Sequence, residues 1–237
     1  HKLATLHAAA PIIPAAFAVA EREHASGRDF LLAVVLGYDA ALRIGEAVNP
    51  SHYRFWHPTG TAATFGAAVA AAKVMGYSED QINSVIAMCA SLASGNLEAA
   101  RCGGQPLREG AATRNAMLAV ALAVPGHVGG ETVLEGDAGF YHAYTGNNKG
   151  MLTYSFAGDV KANLDNITRN LGKDWMFLET LYRIYFTAGY NIAHIDVSAA
   201  ICNENNIATQ DVERIECVTN WLETQYPSPA FTSRRED

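Results

Sequence analysis

For most of this chain, apolar positions return every three or four residues, the spacing of one helix face. Pro11 to Glu23 reads as an alanine-rich apolar helix with its prolines near the start, where a missing N–H is tolerated. Ser26-Gly-Arg-Asp29 resembles a capping box with Asp in place of Glu. It opens an amphipathic helix to about Val48, with Leu31, Val34, Val35, Tyr38, Leu42 and Ile44 at roughly helical spacing, and Pro50 blocks its continuation. Thr61 to Met75 is so rich in Ala and Gly that a neighbouring helix must pack very close, and Gly76 ends it. Ser78-Glu-Asp-Gln81 is a full capping box for a helix reaching about Ala93. Gly110 to Val124 predicts another, stopped by Pro125-Gly126.

The second half is less regular. Glu131 to Phe140 reads as a short helix and a turn, and Phe156 to Gly172 as a polar, surface-exposed stretch. Trp175 to Asn203 carries helical patterning with a break at Gly189. In the tail, Ile215, Cys217, Thr219 and Trp221 alternate with Arg214, Glu216, Val218 and Asn220, which suits a half-buried strand. The expected fold is mainly α: a helical domain over residues 1–180, then the beginning of a smaller α+β domain over residues 181–237. The chain opens at His1 without methionine and closes on Ser-Arg-Arg-Glu-Asp, so sequence is expected to be missing at both ends.

Composition narrows the function classes. With 237 residues, 49% hydrophobic and 17% charged, the chain is long and apolar enough to bury a core. The net charge of −7 and the lack of a basic tract argue against nucleic acid and anionic membrane surfaces as partners. Phe30 to Leu36, the most apolar stretch, is far shorter than the ~20 residues of a membrane span. No secretory leader is visible. Cys89, Cys102, Cys202 and Cys217 read as buried free thiols of a reducing compartment, so the expected location is the cytoplasm. No His, Cys or acidic pair has a recognised ligand spacing, so no metal and no cofactor is expected.

Candidate chemistry concentrates in Asn49-Pro-Ser-His-Tyr-Arg-Phe-Trp-His-Pro-Thr-Gly-Thr61, between two apolar helices. His52, Tyr53, Arg54, His57 and Thr59 share this loop. Polar and aromatic residues before a helix N-terminus suit anion binding, because free backbone N–H groups and the helix dipole favour a carboxylate. A solvated loop with a capping threonine fits the same composition. His1 and His7 precede the first helix and, taken alone, read as surface histidines. Gly103-Gly-Gln-Pro-Leu-Arg-Glu-Gly110 is a glycine-flanked loop in which Arg108 could hold a carboxylate bidentately, or an ordinary interhelical turn. No nucleophile elbow, P-loop or dinucleotide fingerprint occurs.

Read in order, these segments resemble the MmgE/PrpD family, which includes 2-methylcitrate dehydratase, cis-aconitate decarboxylase and iminodisuccinate epimerase. The resemblance is carried by Ser26 to Gly45, by His52-Tyr-Arg-Phe-Trp-His-Pro-Thr-Gly-Thr61 with Thr64-Phe-Gly-Ala-Ala68, by Ala112-Thr-Arg-Asn-Ala116, and by Val133 to Phe140. It implies a helical domain with an α+β lid starting near Leu181, a homodimer, and a metal-independent lyase acting on a small di- or tricarboxylic acid. An epimerase or isomerase, or a catalytically degenerate binding member, is the alternative it allows. It implies proton transfer α to a carboxylate by His7 and His57, with His1, Tyr53, Arg54, Thr59, Gln105, Arg108 and Arg183 around the substrate. The chain departs from the family at Gln105 and Arg183, where lysines are usual, and at Arg108, where histidine is common. Phe186, Thr187 and Ile192 replace the family's Pro, Cys and His, while His194 lies nearby out of register.

Overall fold

A computed structural model describes residues 1, 3–49, 52–97, 104–124, 126–145, 164–185, 187 and 189–219, without the side chains of Arg54, Gln105, Asn166 and Tyr190. Its helices are α1 (Ala9–Arg22), α2 (Gly27–Val48), α3 (Ala62–Val74), α4 (Glu79–Leu92), α5 (Gly104–Ala123), α6 (Phe140–Thr145), α7 (Asp165–Thr168) and α8 (Ile192–Glu204). The described residues are mainly helical and contain no strand. The chain divides into two units, His1–Thr180 and Leu181–Asp237.

In the first unit α3 is the central helix, touched by α1, α2, α4 and α5. Its alanines and glycine make this possible. Ala62 to Ala68 and Ala70 to Ala72 are all buried. A Cβ on Gly37 of α2 would lie 2.6 Å from the Gly66 carbonyl oxygen and 2.9 Å from Ala70 Cβ. The α2–α3 crossing is therefore backbone against backbone, the close approach that the Ala/Gly composition predicts.

Local signals set the helix ends. The Ser26 side chain accepts the Asp29 N–H and starts α2. Ser78 and Gln81 cap α4 reciprocally. Gly76 closes the turn after α3 at φ +69°. Pro11 and Pro14 sit in the first two turns of α1.

A buried ion pair ties the later segment to this bundle. On α2, Arg43 Nε donates to Asp39 Oδ2 at 2.8 Å, with both side chains buried. Arg43 also donates to the carbonyls of Ile167 (3.2 Å), Arg169 (2.8 Å) and Asp174 (2.7 Å). Asp39 Oδ1 accepts the Met176 N–H at 3.0 Å. Much of the backbone of residues 167–176 is thus satisfied by one i,i+4 pair.

Several expectations need correction. The loop expected before Gly110 is the first part of α5, which begins at Gly104; Pro106 falls in its first turn, where proline fits. Glu131 to Gly139 are turns, and helix begins only at Phe140. Phe156 to Lys161 and on to residue 163 lie outside the described residues, while Leu164 and Ile167 pack on the core instead of facing solvent. The helical patterning after Trp175 resolves, among the described residues, into a 3-10 turn at Met176–Glu179, a second at Gly189–Asn191, and α8. Residues 212–219 form no strand: alternation yields one only where a partner strand pairs with it, and the described residues offer none. Trp221 and Asn220 lie outside the described residues. No described helix is long and apolar enough to cross a membrane.

Candidate active site

The histidine loop leaves α2 at Asn49, makes a 3-10 turn at His52–Arg54, and enters α3 after Thr61. It is held against the segment following α4. The Leu97 N–H donates to the Phe55 carbonyl at 2.8 Å and the His57 N–H to the Gly95 carbonyl at 3.0 Å, around a Trp56–Asn96 antiparallel bridge. Gly95 adopts φ +126°, a conformation that L side chains rarely take.

The two histidines singled out as proton carriers come together. The His7 and His57 ring centroids are 6.0 Å apart, tilted by 43°. The link is Thr59, fully buried, whose Oγ1 accepts the His7 backbone N–H at 3.0 Å. Thr59 therefore positions the segment carrying His7. His57 is 2% exposed, and its Nδ1 is buried without a hydrogen-bond partner. Burial, then the charges of Arg108, His7 and His52, lower its pKa to about 3, so the ring is a neutral imidazole near neutral pH. His7 is exposed at the surface of the pair. Tyr53 is half-buried, its ring 6.4 Å from that of His57.

Arg108 reaches this cluster from α5. It is 7% exposed, and its Nη1 donates to the Asn96 carbonyl at 3.4 Å. Its stem runs between Gly60 and Gly95: an added Cβ would lie 3.1 Å from Arg108 Cδ at Gly60 and 2.5 Å at Gly95. These two glycines are the part of the site that sequence reasoning missed. Nothing local in Thr-Gly-Thr or Ser-Gly-Asn signals an arginine arriving from a helix further along the chain.

The other candidates are placed differently. The His1 side chain is buried, its Nδ1 accepting the Ala4 N–H at 3.2 Å and its Nε2 standing 3.7 Å from the Glu179 carboxylate. Arg183 belongs to the second unit, where it is exposed and lines an open depression with Ile184, Tyr185 and Thr187. Arg54 and Gln105 have their backbones in the 3-10 turn and the first turn of α5; their side chains are outside the described set.

His52 belongs to the scaffold. It is fully buried and stacked on Trp56 at 11°. Its Nε2 is 2.7 Å from Thr61 Oγ1 and its Nδ1 3.4 Å from the Tyr144 carbonyl, which assigns the proton to Nδ1. Burial lowers its pKa to about 3. Among the described residues, no group of three or more His, Cys, Asp or Glu is placed to hold a metal ion.

Residues 1–152, which hold the histidine loop, His7 and Arg108, match the MmgE/PrpD N-terminal domain. The chain belongs to the MmgE/PrpD family. Among curated relatives, the cis-aconitate decarboxylase-like protein oryM of Aspergillus oryzae is 30% identical over 201 residues, 80% of this chain and 40% of that protein. Cis-aconitate decarboxylase of Aspergillus terreus is 29% identical over 201 residues, 80% of this chain and 39% of that enzyme. Human cis-aconitate decarboxylase is 31% identical over 141 residues, 56% of this chain and 29% of that enzyme. These matches span about 40% or less of the length of each relative.

Proposed function

We propose that this MmgE/PrpD chain carries the histidine part of a lyase site acting on a small di- or tricarboxylic acid. The observation that carries the reading is the His7–His57 pair, one ring exposed and one buried and neutral, with a buried arginine alongside. A neutral imidazole shielded from water is suited to take a proton from a carbon α to a carboxylate. In a dehydration, the C–H electron pair forms the double bond and the hydroxyl departs with a proton from the second histidine. In a decarboxylation, the C–C bond breaks, carbon dioxide leaves, and the remaining carbanion takes a proton that the exposed His7 has picked up from solvent. The names of the relatives favour the decarboxylation. Arg54 supplies a cation for a substrate carboxylate and Arg108 a buried positive charge beside His57, with Tyr53, Gln105 and His1 as further polar contacts. No metal enters this scheme, the full protein acts as a homodimer, and its location is the cytoplasm.

The test is incubation of the full-length protein with cis-aconitate, citrate and 2-methylcitrate, following double-bond absorbance and carbon dioxide release. Absence of turnover on every polycarboxylate counts against a lyase. Gln105, standing where the family resemblance implies a lysine, favours a second reading as a binding member without turnover. Gln105→Lys that restores no activity, together with stabilisation by the same acids, supports that reading. Deuterium wash-in at an α carbon without elimination marks an epimerase instead.

A further inference from the structure

Gly60 and Gly95 bracket the His57 peptide. The His57 N–H donates to the Gly95 carbonyl at 3.0 Å, and the His57 carbonyl accepts the Gly60 N–H at 2.8 Å. The Arg108 stem lies on both glycines, in space that a Cβ at either position would invade. At Gly60 that Cβ would also stand 2.5 Å from the Ser94 carbonyl oxygen. The two glycines thus form a slot whose occupant is anchored to the backbone on both sides of His57. Arg108 is buried there, where its charge is less screened than in water.

We propose that Arg108 is a positioning residue that acts through His57, holding the buried imidazole in its neutral, proton-accepting form. The groups facing His57 come from three elements: Arg108 from α5, His7 from the segment before α1, and His52 and Tyr53 from the 3-10 turn. Of these, Arg108 alone keeps its charge at every working pH. Its effect adds to the larger effect of burial, and both act in the same direction. A proton taken by His57 is therefore pressed to leave again, and exposed His7 is the adjacent group that can receive it. The inference rests on the proton-transfer reading of His57 given above.

Two variants of the full-length protein separate charge from filling. Arg108→Met keeps an apolar stem in the slot and removes the charge; Arg108→Lys keeps both. The His57 imidazole is followed by NMR against pH, with His57→Gln to assign its signal, and kcat/KM is measured against pH with cis-aconitate. In Arg108→Met, His57 takes its proton at a higher pH than in the wild type, and Arg108→Lys keeps the wild-type behaviour. The acid limb of kcat/KM moves up in parallel. A His57 signal in Arg108→Met that stays neutral over the same pH range as in the wild type overturns the proposal, as does an equal shift in Arg108→Lys. Arg108→Gln replaces Arg108→Met should that variant fail to fold. An NMR shift without turnover on any polycarboxylate leaves the Arg108–His57 coupling standing and removes only the lyase reading.

Discussion

The Thr59 hydroxyl oxygen accepts the backbone N–H of His7 at 3.0 Å, so a buried residue of the histidine loop fixes a residue 52 positions earlier in the chain. That bond brings the His7 ring to 6.0 Å from the His57 ring. Thr59→Val keeps the shape and removes the acceptor. Its expected effect is a loss of kcat greater than the loss of fold stability, which stays within about 1–3 kcal/mol. Kinetics and urea unfolding on the same preparation check this, and unchanged kcat would show that the His7 position does not depend on Thr59.

The histidines themselves separate by burial. His7→Gln and His57→Gln should each lower kcat/KM by about 100-fold or more, as expected for loss of a positioned proton-transfer group. His7 is exposed, so His7→Gln leaves the unfolding free energy within about 0.5 kcal/mol of wild type. His52→Asn behaves oppositely: it breaks the Thr61 contact and the Trp56 stack, and lowers stability first. A His52 variant with normal stability and abolished turnover would move His52 into the chemistry.

Burial also fixes the sign of the pH dependence. His52 and His57 have folded pKa values of about 3 against an ordinary 6.5, so between these limits the unfolded chain binds protons that the folded chain does not. Stability is full above the ordinary value and falls as pH drops through the window toward about 3. Urea midpoints should decrease from about pH 7 to about pH 5, and His57→Gln should flatten that slope. A slope equal to that of the wild type would mean that His57 is protonated in the folded protein.

How far the sequence reaches is visible in these same residues. Capping chemistry is local, and Ser26 and Ser78 marked the starts of α2 and α4 correctly. The Ala/Gly run of α3 foretold a closely packed neighbour without naming it, because close helix packing demands small residues along a whole face, and the Gly37–Gly66 contact shows that neighbour to be α2. The start of α5 was hidden: Gly103-Gly104 and Pro106 look like loop residues, yet proline in a first helical turn costs little. Composition does not separate His52 from His57; the family resemblance picked out His57, and packing sets His52 against Thr61 and Trp56 and His57 beside His7. The Gly60–Gly95 slot was illegible for the same reason, since the contacts that define it join residues far apart in sequence.

The Gly37–Gly66 crossing predicts its own mutational cost. Gly66→Ala would bring a methyl group 2.6 Å from Ala41 Cβ and 2.9 Å from Ile12 Cδ1, and closer still to the Gly37 carbonyl. Overpacking of this kind destabilises by about 1–3 kcal/mol. A compensating Ile12→Val should recover only part of this, because the backbone clash with Gly37 remains. Equal stability of Gly66→Ala and wild type by urea titration would show that α2 and α3 can separate freely.

The Asp39–Arg43 pair makes the most local prediction about the later segment. Arg43 satisfies the carbonyls of Ile167, Arg169 and Asp174, and Asp39 holds the Met176 N–H, so removing either partner strands the other charge inside the bundle. Breaking a buried pair from one side costs about 3–5 kcal/mol. Asp39→Asn should show that loss together with faster proteolysis between Ile167 and Met176. Asp39→Leu with Arg43→Met removes both charges and should recover much of the global stability. The double variant still lacks the donors that held the Ile167 and Asp174 carbonyls, so cleavage there should stay fast. Restored protection in the double variant would show that apolar packing of Ile167 and Met176 holds the segment without Arg43.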